Sequence, residues 1–110
     1  MALHHIDSIV NHYADAPIVD EALYLKAEIY RVRNETDKAI DAYRIVAERF
    51  PDDVLADNAN YMLATIYENQ LNDKQLAMQH YLKIITDYAS SIFVTDARKR
   101  YRALRGEAVQ

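Results

Sequence analysis

Four histidines, nine tyrosines and no cysteine are the side chains from which any chemistry in this 110-residue chain must be assembled. His4, His5 and His12 cluster near the start, and His80 stands alone. His5 and His12 lie two helical turns apart and so share a face of a helix. A metal centre needs ligands converging at set spacing, and no acidic pair completes one beside them. The histidines therefore read as surface or groove residues, with His4 and His5 an adventitious nickel binder. A hydrolase needs a nucleophile held beside a base, and no spacing in the chain points to one. The absence of cysteine excludes disulfides, thiolate catalysis and thiolate metal sites. A single glycine, Gly106, excludes a glycine-rich phosphate loop. No cofactor is expected. What remains is tyrosine, an amphipathic ring that either fills a core or anchors a partner.

The elements that position these rings are helices. The chain is 51% hydrophobic and 27% charged, with one glycine and two prolines, so it has little material for hairpin turns and much for helix. Its length suits one domain over 1–110. The net charge of −4 gives little attraction to a phosphate backbone, which argues against nucleic acid as the main partner. No run approaches the ~20 apolar residues of a membrane span. The opening MALHHIDSIV lacks the pattern of a signal peptide, and the amphipathic LHHIDSIVNHY that follows Met1-Ala2 reads as the interior of a longer protein.

The chain repeats itself. A shift of 37 residues lays Ala22, Tyr24, Ala27, Ile29 and Tyr30 on Ala59, Tyr61, Ala64, Ile66 and Tyr67. A shift of 38 lays Ala39, Tyr43, Val46 and Phe50 on Ala77, Tyr81, Ile84 and Tyr88, the extra residue falling in the NQLND turn. Such a period marks a solenoid, whose units bury their apolar faces on one another. Read along the period, the chain gives six antiparallel helices: 2–14, 17–33, 37–50, 54–70, 74–88 and 92–105. Pro17 suits a first helical position, and Thr36, Asp53, Asn72 and Ser91 stand at N-cap positions, Asn72 with Gln75 as a capping box. Ala27, Ala39, Ala64 and Ala77 fall where paired helices approach most closely. Tyr30, Tyr43, Tyr67, Tyr81 and Tyr88 occupy core places.

These residues resemble the tetratricopeptide repeat. Leu23, Ala27, Tyr30, Ala39, Tyr43 and Pro51 match its pattern in one unit, and Leu63, Ala64, Tyr67, Ala77, Tyr81 and Ile84 in the next. Lys26 stands where leucine is usual, Val46 is larger than the usual alanine, and Ala89 replaces a proline. The ending DYASSIFVTDARKRYRALRG is similar to bacterial cell-envelope members, the outer-membrane assembly lipoproteins and periplasmic Tol-Pal-associated proteins, through Tyr88, Ser90, Ser91, Ala97, Arg98, Lys99 and Arg100. On that resemblance an envelope location is favoured over the cytoplasm.

The resemblance implies an all-α, right-handed superhelix of about three helix pairs, acting as a noncatalytic scaffold for protein or peptide partners. It places Tyr24 and Tyr61 on the concave groove, with Glu21, Glu28, Arg31, Asn58, Thr65, Glu68, Asn69, Asp96 and Lys99 around them. Tyr24 and Glu28 would repel the carboxylate that the family's cochaperones clamp. Arg98, Lys99, Arg100, Arg102 and Arg105 make the last helix cationic, either to complement its dipole and cap the solenoid or to dock an acidic partner or anionic surface. The alternative function is self-assembly: Ile6, Ile9 and Val10 present an apolar face for a homodimer. An enzymatic role would require residues outside this chain.

Overall fold

The computed structural model describes residues 18–49 and 54–106, which form five α-helices and no strand. They are α1 (Ile18–Val32), α2 (Thr36–Arg49), α3 (Val54–Asn69), α4 (Lys74–Asp87) and α5 (Val94–Leu104). These match the last five predicted helices to within two residues at every end. The first predicted helix with Ile6, Ile9 and Val10, the three N-terminal histidines, Pro17, Phe50, Pro51 and Asp53 lie outside the described residues. The helices divide into two compact units, 1–59 and 60–110, with the division inside α3.

In the first unit α1 packs on α2. Their apolar residues recur at helical spacing, and Leu23, Ala27, Ala39, Ile40, Tyr43, Val46 and Ala47 are all buried. Ala27 and Ala39 are 0% and 1% exposed. Small side chains at these buried positions allow a close approach of the two packed helices, and Tyr43 is fully buried in the same core. The second unit repeats the solution. Ala64 and Ala77 are fully buried, as are Leu63, Tyr81 and Ile84, and α5, whose Val94 and Ala97 are buried, packs on α4.

The α1–α2 and α3–α4 turns each close on an asparagine in the left-handed region, Asn34 at φ 63° and Asn72 at φ 52°. In the first, the Glu35 amide donates to the Tyr30 carbonyl at 2.8 Å and the Asn34 amide to that of Arg31 at 3.0 Å. The second turn is one residue longer, as the shift of 38 requires. Because Asn72 takes the left-handed position, the cap of α4 falls to Asp73, whose carboxylate accepts from the Leu76 amide at 3.1 Å, and the predicted Asn72–Gln75 capping box does not form. Thr36 is the first helical residue rather than the cap. The Ser91 hydroxyl accepts from the Phe93 amide at 3.0 Å, which builds a local turn in place of helix and delays α5 to Val94.

Three of the five core tyrosines are buried, Tyr43 and Tyr81 at 0% and Tyr67 at 5% exposure. The other two are half-buried. Tyr88 caps α4, its amide donating to the Ile84 carbonyl. Tyr30 lies at a surface pocket, with the ammonium groups of Lys26 and Lys38 over its ring at 5.9 and 5.6 Å.

Candidate functional site

Each unit holds a buried tyrosine against a carboxylate that also meets an arginine. In the first, the Tyr43 hydroxyl of α2 donates to Glu28 of α1, and Arg31 pairs with the other Glu28 oxygen at 2.9 Å. A three-residue separation puts Glu28 and Arg31 on one helix face, so the pair forms within α1. Tyr24, one turn before Glu28, sets its ring edge-on to Tyr43, with centroids 5.6 Å apart.

In the second unit, Tyr81 of α4 donates to Glu68 of α3 at 2.7 Å. Here the cation comes from another helix. Arg100 of α5 reaches Glu68 at 3.4 Å and Asp96, one turn before it, at 2.9 Å. The Tyr61 hydroxyl donates to the same Asp96, and its ring stacks on Phe93 at 4.5 Å and meets Tyr81 edge-on at 6.2 Å. Five side chains from three helices thus form one hydrogen-bonded cluster.

The two clusters are equivalent in kind and differ in register. The repeat places Glu28 on Thr65 and Arg31 on Glu68, so the carboxylate beneath the core tyrosine has moved by one helical turn. Thr65 satisfies its hydroxyl on the Met62 carbonyl at 2.9 Å.

Burial raises the hydroxyl pKa of Tyr43 and of Tyr81, with the carboxylates of Glu28 and Glu68 adding to it. At neutral pH both are neutral donors. Burial works against ionised Glu28, but the hydrogen bonds from Arg31 and Tyr43 outweigh it and hold the carboxyl below its ordinary range. The hydrogen bond from Tyr61 lowers Asp96, against some desolvation and with help from Arg100. What the clusters offer is fixed hydrogen bonding and ring contact. Among the described residues no group of three or more histidines and carboxylates converges as a metal site, and no helix is long and apolar enough to cross a membrane.

Of the residues expected on a groove, Tyr24, Glu28 and Arg31 come together in the first unit and Tyr61, Glu68 and Asp96 in the second. All six are half-buried. Glu21, Asn69 and Lys99 are exposed, and Asn58 and Thr65 are intermediate. The Asn58 backbone amide donates to the Asp57 carboxylate at 2.8 Å. Arg100, expected on the cationic surface of the last helix, instead turns into the cluster, which leaves Arg98, Lys99, Arg102 and Arg105 as its exposed cations. The repeat sets Phe93 on the apolar Leu55, but nothing in the sequence showed that its ring would stack on Tyr61. His80 is half-buried, stacked on Tyr67 at 5.6 Å, with Nδ1 3.0 Å from the Asn60 amide oxygen.

The paired helices, the alanine contacts and the tyrosine-filled cores define a helical repeat. The family model described as tetratricopeptide repeat matches residues 21–53 and 58–91, and the chain belongs to the tetratricopeptide repeat family. No curated protein and no solved structure matched the chain.

Proposed function

We propose that the chain is a noncatalytic scaffold that binds partner protein segments through the faces bearing Tyr24 and Tyr61. The observation that carries this reading is that each tyrosine is half-buried on a rigid helix, its ring braced by a second ring. Such a side chain loses little entropy when a partner covers it, which is the property of an interface anchor. In the first unit the rim is Glu21, Glu28, Arg31 and Asn58; in the second it is Thr65, Glu68, Asn69 and Lys99. Both rims mix charges and amides, which suits a polar peptide rather than a nucleic acid.

The test is affinity capture with the whole chain, followed by affinity measurement on the captured partner. Tyr24→Ser should weaken binding about tenfold or more, the loss of one interface anchor. Affinity within twofold of the unmodified chain, with helical circular dichroism intact, removes Tyr24 from the binding face. A cell-envelope setting is supported by the resemblance of residues 88–100 and is tested by fractionating the native cell.

A further inference from the structure

Besides the register of their clusters, the two units differ at a second place where the repeat would make them alike. In the second unit the His80 imidazole lies flat against Tyr67, at an interplanar angle of 14°, with Asn60 holding its ring nitrogen. Leu63, three residues after Asn60 on α3, is 0% exposed. The repeat puts Ala42 where His80 stands, Tyr30 where Tyr67 stands, Leu23 where Asn60 stands and Lys26 where Leu63 stands. The first unit therefore lacks the ring and keeps the aromatic floor. The result is a surface pocket of about 250 Å³ beside Tyr30, walled by Leu23, Ala42 and Ile45.

We infer that this pocket is a second binding site, one that receives an aromatic side chain flanked by carboxylates on a partner protein. It is independent of the Tyr24 reading: Lys26 follows Tyr24 by about 200° around α1, so the two lie on different faces. Three features fit that guest. The equivalent space is filled by a flat ring in the second unit, so its shape and floor suit a planar group. The walls are apolar, and Ile45 at their edge is 39% exposed, which leaves apolar area for a guest to cover. The rim carries Lys26 and Lys38, both within 6 Å of the Tyr30 ring centroid. Lys38 has an ion pair with Glu35 at 3.5 Å, with its side chain 62% exposed, a weak contact that a partner carboxylate can replace. Asp41, the acid at the rim, already faces Arg44 at 3.8 Å. A cationic guest would meet two ammonium groups, so the charge selects acidic flanks.

The probe is the peptide acetyl-Asp-Asp-Trp-Asp-Asp-amide titrated with the whole chain. The protein contains no tryptophan, so the peptide's indole fluorescence reports binding directly. Saturable binding is expected, with amide NMR shifts moving at Leu23, Tyr30 and Ala42. Ala42→His, which restores the ring of the second unit, should weaken the peptide about tenfold, and so should Lys26→Ala/Lys38→Ala, a surface change that spares the core. A peptide with lysine in place of aspartate should not bind. Binding by that peptide, shifts confined to α5 or to Tyr24, or no saturation at millimolar peptide would overturn the assignment. So would self-association that Ala42→His abolishes, which would make a second copy the occupant.

Discussion

Replacing Tyr61 should cost far more stability than replacing Tyr24, although the repeat makes them equivalents. Tyr61→Ser removes a stack on Phe93 and an edge contact with Tyr81, ~0.5–1.5 kcal/mol each. It also removes a hydrogen bond to Asp96. Such a bond to a carboxylate contributes ~1.5–3 kcal/mol when buried, but the Asp96 side chain is 41% exposed, so about 1 kcal/mol is the better figure. The sum is about 2–4 kcal/mol. Tyr61→Phe keeps both rings and should cost about 1 kcal/mol. Tyr24→Ser loses an edge contact with Tyr43, ~0.5–1.5 kcal/mol. At about 4 °C per kcal/mol for a chain of this size, Tyr61→Ser should melt roughly 8–16 °C lower and Tyr61→Phe about 4 °C lower. Urea and thermal unfolding followed by helical circular dichroism measure all three. If Tyr61→Ser and Tyr24→Ser agree within about 0.5 kcal/mol, the Asp96 cluster does not hold in solution and the reasoning fails. The same asymmetry makes Tyr24 the cleaner residue for binding tests.

Ala39→Leu should destabilise by ~1–3 kcal/mol through overpacking, and Ala39→Glu by more because it buries a charge, both read as a lower urea midpoint. Acid should unfold the chain through Glu28 and Asp96. Their folded pKa values are depressed, so the stability they add is present above the ordinary carboxylate range and is lost as pH falls below that range through the depressed values; Glu28→Gln should flatten that part of the melting curve against pH. At the other end, Tyr43 and Tyr81 are raised, so stability should fall as pH rises beyond the ordinary tyrosine value of 10.0, and Tyr81→Phe should remove part of that fall. Tyr81→Phe and Glu68→Gln should be non-additive in a double-mutant cycle, with a coupling of about 1 kcal/mol, because they lose the same 2.7 Å bond.

Helix positions, the buried alanines and three of the five expected core rings were legible in the sequence, because an α-helix has a fixed period and a repeat displays its buried face twice. Ala27 with Ala64 and Ala39 with Ala77 needed only alignment to be placed in the core. The extra residue of the second turn was legible for the same reason. Capping was read one residue early at α4, since asparagine and aspartate both cap helices and only the backbone's left-handed turn at Asn72 assigned them. The polar clusters were hidden for a different reason. Hydrogen bonding depends on where a side-chain tip arrives, and a tip can come from a neighbouring turn or another helix. Glu68 replaces Glu28 beneath its tyrosine from one turn further along, and Arg100 arrives from α5 where the first unit uses Arg31. No shift of the sequence against itself aligns these. Periodicity along the chain determined most of the buried face and the ion pairs within a helix; only the packing of helix on helix decided which carboxylate meets each buried tyrosine, that Arg100 reaches Glu68, and which ring space, beside Tyr30, was left open.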